Sequence, residues 1–151
     1  MEKIAIYFDM DGTIADLYAV EGWLPKLRAS DPSPYTEARV MHNMSALARM
    51  LNRLSENGCS VGVISWLSKG GTPQYNAEVT TAKRKWLAKH LASVNFTEAY
   101  FAPYGTPKYT LALCNGILFD DEEKNRIAWE QSGRGRAYPP EKIFEILKKI
   151  S

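Results

Sequence analysis

The chain has 151 residues, of which 45% are hydrophobic and 24% charged, and carries a net charge of +2 at pH 7. That length fits one domain with a real core, and so small a charge argues against a nucleic-acid partner, which a basic field would mark. No apolar run approaches the ~20 residues that span a bilayer, and the N-terminus enters a strand pattern with no signal-peptide signature, so the expected location is the cytoplasm.

Ile4 to Phe8 is a short apolar run closed by a turn signal and reads as a buried strand. Asp9-Met10-Asp11-Gly12-Thr13 follows at once. Side chains alternate along a strand, so Asp9 and Asp11 lean the same way if the strand continues to Asp11. Gly12 permits a sharp turn. Two carboxylates at one strand end call for a compensating cation, and Mg²⁺ is the natural hard partner. Between Asp16 and Tyr35, Trp23, Pro25, Pro32 and Pro34 interrupt the pattern, and the stretch reads as a short lid.

Val40, Met44, Leu47, Leu51 and Leu54 recur at helical spacing and predict a helix over about 37–56, stopped by Asn57-Gly58. A strand is expected over 60–65. A helix is expected over 77–93, with Val79, Ala82, Trp86, Leu87, His90 and Leu91 on one face and Lys83, Lys85 and Lys89 in solvent. A strand over 98–102, a helical turn within 110–115, a strand over 116–120 and a helix over 122–131 come next. Ala137-Tyr138 reads as a short strand. Pro139-Pro140 opens a last helix, whose buried face is Ile143, Ile146, Leu147 and Ile150.

Strands alternating with helices predict an α/β fold, a three-layer Rossmann-like parallel sheet with helices on both faces. Such sheets bind ligands at the carboxyl ends of their strands, and Asp9, Ser65 and Asp120 all fall at carboxyl ends. Cys59 and Cys114 form neither a metal motif nor a disulfide framework and read as structural thiols. His42 and His90 fall in helical patterns without partner spacing and read as non-catalytic.

Asp9-Met10-Asp11-Gly12-Thr13, followed by Ile14-Ala15-Asp16, resembles the first motif of the haloacid dehalogenase (HAD) superfamily of phosphotransferases, Asp-x-Asp-Gly-Thr/Val at the end of the first strand. Val61 to Ser65, an apolar run ending in a hydroxyl residue, resembles the second motif. Lys108, in Tyr104-Gly105-Thr106-Pro107-Lys108, resembles the third, and Gly116 to Asp121 the fourth. The ordered set spans nearly the whole chain.

The resemblance implies one HAD-like domain over 1–151 with a minimal cap insertion at about 17–36. The implied activity is hydrolysis of a small phosphomonoester. Asp9 is then the nucleophile that forms an aspartyl-phosphate, and Asp11 the general acid/base. Ser65 and Lys108 contact the phosphoryl group. Mg²⁺ is held by Asp9, by Asp11 through its backbone carbonyl, and by Asp120 and Asp121. Gly12, Thr13, Tyr18, Trp23, Trp66 and Lys69 are the candidate substrate-binding residues, the three aromatic rings as platforms for a nucleobase. Lys83 competes for the third-motif position, and Lys108 is preferred because it lies in a loop between two strands. Lys69 and the Lys83-Arg84-Lys85-Trp86 helix also faintly resemble the deoxyribonucleotidase branch.

Two other readings remain. One is a phosphatase for nucleic-acid ends or for a protein, with Gly133-Arg134-Gly135-Arg136 on phosphates. The other is a non-catalytic binding or regulatory domain on the same fold, against which both first-motif acids stand. A second copy of the chain could supply the cover that so short an insertion lacks.

Overall fold

In the computed structural model, which describes residues 4–151, strand β1 (Ala5–Phe8) is buried along its whole length. The chain continues through β2 (Ala15–Asp16), α1 (Trp23–Arg28), α2 (Ser33–Glu37), β3 (Arg39–Val40), α3 (Met44–Glu56), β4 (Ser60–Trp66) and α4 (Pro73–His90). It closes with β5 (Glu98–Ala102), β6 (Gly116–Phe119), α5 (Glu123–Gln131), β7 (Ala137–Tyr138) and α6 (Ile143–Ile150).

The five longer-range strands form a parallel sheet in the order β5-β4-β1-β6-β7, as the alternating pattern predicts. Alternation along β1 feeds two layers. Ile6 and Phe8 pack with Leu47, Leu51 and Leu54 of α3, Trp86 of α4 and the Ile143, Ile146 and Leu147 face of α6. Ala5 and Tyr7 pack on the opposite face with Leu118 and with Trp129 of α5. Phe8 stands opposite Val63 on one side and Phe119 on the other. The residues that follow β1 and β6 therefore leave the sheet side by side, and β4 runs on past them to Ser65 and Trp66.

The helix expected over 37–56 begins only at Met44. Asn43 caps it by accepting a hydrogen bond from the Ala46 N–H. Residues 39–40 instead pair antiparallel with β2, and Val40 is exposed, so its helical spacing is coincidental. His42 lies in the bend before the helix rather than within it. Helix α4 starts earlier than expected, at Pro73, because Thr72 caps it and proline suits its first turn. The turn expected within 110–115 is a 3-10 turn at Lys108–Thr110, and α6 is preceded by another at Pro140–Lys142.

The insertion after β2 is packed, not loose. Leu17 and Tyr35 form a third core with Leu67, Tyr75, Val79 and Ala82. The Tyr75 hydroxyl donates to the Asp31 carbonyl at 2.9 Å, which ties the insertion to the first half of α4.

Gly116 opposes Ala5 in this register, and a Cβ there would strike the Ala5 backbone. Gly116→Ala is expected to destabilise the protein by about 1–3 kcal/mol, read as a lower urea midpoint. An unchanged midpoint would contradict the β1–β6 register.

Candidate active site

β1 ends at Phe8, and the chain turns at once. The Thr13, Ile14 and Ala15 N–H groups all donate to the Met10 carbonyl at 3.0–3.1 Å, and the Gly12 N–H donates to the Ala15 carbonyl. Gly12 has φ +82°, a conformation glycine adopts without strain, and a Cβ there would meet the Asp121 carboxylate. Thr13 is fully buried. Its hydroxyl donates to Asp9 Oδ2 at 2.9 Å and accepts from the Asp121 N–H at 3.1 Å. His42 Nε2 lies 2.7 Å from the Thr13 carbonyl oxygen and braces the turn from behind. The strand stops before Asp11, so the condition for strand alternation is not met; both residues nonetheless border one cavity, and their carboxylates take different partners.

Lys108 is buried, and its ammonium donates to Asp9 Oδ1 at 2.7 Å and to Asp120 Oδ2 at 2.8 Å. Burial alone would lower its pKa, but the charges of Asp9 and Asp120 outweigh it and raise the value, so the ammonium stays charged. Asp120 also accepts from the Glu122 N–H at 2.9 Å and from Asn125 Nδ2 at 3.1 Å.

Lys83, placed in solvent by the helical pattern, is only 1% exposed. Its ammonium donates to Asp11 Oδ2 at 2.9 Å, to Ser65 Oγ at 2.6 Å and to the Trp66 carbonyl at 2.6 Å. It follows Val79 by four residues, so it borders the buried stripe. Only acceptors brought in from other segments draw it inward, and periodicity cannot show those. The competition between Lys83 and Lys108 thus resolves into two lysines with separate partners.

Asp9, Asp120 and Asp121 each offer a carboxylate oxygen, and these oxygens all lie within 4.8 Å of one another. The Asp11 carboxylate pairs with Lys83 and is not among these three. Burial pushes Asp11 up against the pull of Lys83, and burial together with the Asp9 charge pushes Asp120 up. Asp121 is exposed at its edge, yet loss of water around its carboxylate and the Asp9 charge push it up to about 8. A crowded set of hard oxygen donors, in which Asp120 and Asp121 are pushed toward the protonated form, fits Mg²⁺.

A cavity of about 560 Å³ opens over Asp9, Asp11 and Lys108. Trp66 and Tyr104 pair on its wall with ring centroids 5.0 Å apart, and Trp66 Nε1 donates to the Thr106 carbonyl at 2.7 Å. Tyr18 and Trp23 form a second aromatic pair at 5.1 Å. Lys69 also lines the cavity. Gly12, Thr13 and Ser65 do not: Gly12 packs beneath Asp121, while Thr13 and Ser65 are fully buried. The sequence reading missed Leu24, Leu27, Arg28, Tyr35 and Tyr104 as lining residues. The one-turn spacing of Trp23 and Leu27 was the available signal for α1; nothing local marked Tyr104. Arg134 turns to the Tyr109 carbonyl and Asn115, away from this cavity.

No protein-family model matches the chain, and no curated protein matches it by sequence. Solved structures do match. The D,D-heptose 1,7-bisphosphate phosphatase of Burkholderia thailandensis superposes with a TM-score of 0.55 at 16% identity, over 87% of this chain and 74% of that one. A protein of Mesorhizobium loti described as a HAD-like phosphatase gives 0.55 at 19% identity, over 87% of this chain and 69% of that one. The B. bronchiseptica D,D-heptose 1,7-bisphosphate phosphatase, complexed with magnesium and phosphate, gives 0.50 at 12%, over 90% and 78%. The fold is HAD-like, as the motif order implies.

The raised carboxylates fix a pH dependence. The folded protein keeps a proton on Asp121 up to a pH of about 8, whereas the unfolded chain releases it near ~4. Asp121's contribution is therefore full below the unfolded value and is lost as pH rises through the folded one. In chelator, the thermal midpoint should fall between about pH 5 and pH 8.5, less so in Asp121→Asn, and Mg²⁺ should raise it more at the upper end. An equal Mg²⁺ shift at both ends would contradict the assignment.

Proposed function

We propose that this chain is a Mg²⁺-dependent hydrolase of a small phosphomonoester, working through an aspartyl-phosphate on Asp9. The observation that carries the reading is the setting of Asp9. It borders the cavity, Thr13 and Lys108 hold its two oxygens, and it belongs to the three-acid cluster. Orientation of this kind converts a weak nucleophile into a positioned one. The HAD-like fold, shared with phosphatases that include one complexed with magnesium and phosphate, supports the same chemistry.

Asp9, Asp120 and Asp121 would hold Mg²⁺, which when bound offsets the repulsion between the carboxylate and an anionic phosphoryl group. One Asp9 oxygen attacks phosphorus as the ester oxygen leaves. Asp11, which borders the same cavity and is biased by burial toward its protonated form, gives its proton to that oxygen. It then takes a proton from the water that attacks the aspartyl-phosphate, and orthophosphate departs with Asp9 restored. Lys108 stays charged throughout and keeps Asp9 aimed.

The cavity favours a compact substrate. Its volume suits a small organic phosphate. The two aromatic pairs favour a flat group on the ester, with a nucleoside monophosphate the leading case, and Lys69 and Arg28 add positive charge to a site otherwise rich in acids. The insertion, packed on α4, narrows access for a duplex end or a folded protein.

With p-nitrophenyl phosphate and Mg²⁺, wild type should turn over and Asp9→Asn should not. Asp11→Asn should lose about 10²- to 10⁴-fold in kcat. Equal rates for wild type and Asp9→Asn would end the proposal. Trp23→Ala should raise KM for nucleoside monophosphates by about tenfold, the scale of one lost stacking contact, while glycerol phosphate is little affected. A uniform loss on both substrates would remove the stacking role.

A further inference from the structure

Lys83 is a buried cation of the site that the proposed chemistry does not use. An ammonium has three N–H donors and no acceptor. All three are occupied, by Asp11 Oδ2, Ser65 Oγ and the Trp66 carbonyl, at 2.6–2.9 Å. Nothing remains for a substrate oxygen, and neither Lys83 nor Ser65 borders the cavity. The Tyr35 ring lies 5.0 Å from the same nitrogen, so the insertion closes the remaining side. Lys83 is therefore a fixed internal group rather than a phosphate ligand.

Its effect is to sort carboxylates. Asp9 and Asp11 are two residues apart, yet only Asp9 joins the cluster with Asp120 and Asp121. A half-buried carboxylate deprived of its cation either takes up a proton or turns to another cation within reach. For Asp11 that other cation is the one that the other three acids would hold. We propose that Lys83 is a positioning residue that keeps the Asp11 carboxylate out of the metal cluster and free to move a proton. The proton-transfer half rests on the function proposed above; the partition of the acids does not.

Mn²⁺ binding by the full chain, followed by calorimetry and electron paramagnetic resonance, tests the partition directly. Lys83→Met should bind Mn²⁺ on the order of tenfold more tightly, since a fourth carboxylate becomes available, with one fewer water on the ion. Its kcat on p-nitrophenyl phosphate should fall by about 10²-fold with KM little changed. Adding Asp11→Asn should return Mn²⁺ affinity and hydration to wild type, and Lys83→Arg should keep both. If Lys83→Met does not fold, Lys83→Gln carries the same expectations. Mn²⁺ binding that is unchanged or weaker in a folded Lys83 variant overturns the proposal. So does a raised KM with kcat intact, the signature of a substrate ligand. If wild type hydrolyses nothing while the Mn²⁺ readings go as expected, the proposed function fails and the partition stands.

Discussion

Like charge gathered at one edge of a buried sheet is the constraint around which this molecule is organised. Four carboxylates, those of Asp9, Asp11, Asp120 and Asp121, converge there, and two buried ammoniums answer them. Burial and mutual repulsion hold Asp11, Asp120 and Asp121 above the usual carboxylate range, so ionising all four together calls for a further cation. Taking ions out of water is costly unless each is paired and hydrogen-bonded. The site meets that cost through geometry. The Thr13 hydroxyl bridges Asp9 and the Asp121 backbone, the Glu122 N–H and Asn125 hold Asp120, and β1 and β6 beneath are apolar. The packed layers below the sheet keep the repulsion from relaxing by spreading the strands apart.

Much of this was legible in the sequence, for definite reasons. β1, β4 and β6 are apolar runs that end in polar residues, and parallel pairing requires their carboxyl ends to share an edge. Asp9, Ser65 and Asp120 were therefore placed by pattern alone. Lys108 was placed by resemblance, and its contacts with Asp9 and Asp120 give that placement a physical basis. Other features were illegible. Val40 fell into helical register with α3 by chance, and only the pairing of residues 39–40 with β2 revealed it. Lys83 looked like a solvated residue because its acceptors lie 17, 18 and 72 positions away. Periodicity reports which face a residue lies on, and it is silent on what waits for a long flexible side chain at the boundary of that face.

The fold carries less functional information than the site does. The structural neighbours share 12–19% of their residues with this chain, a range in which architecture persists while substrates diverge. The aromatic pairs and the packed insertion speak to the substrate; the sheet does not. Thr13 and Ser65, both within the motifs, do not border the cavity. Both are buried behind the residues they support.

Helix α4 holds the insertion through Tyr75 and Val79 and holds Asp11 through Lys83, one turn further along. The insertion and the Asp11 carboxylate are thus hung on a single rod. A change in α4 that moved the insertion would disturb Asp11, the proposed proton donor, with the same stroke. Helix α1 reaches the cavity through Trp23, Leu24 and Leu27; Trp23 and Leu27 also pack on the cluster that includes Tyr75 and Val79, but the three bonds of the Lys83 ammonium all go elsewhere. Variation in the residues that line the cavity is accordingly expected to concentrate in α1, while α4 stays comparatively still.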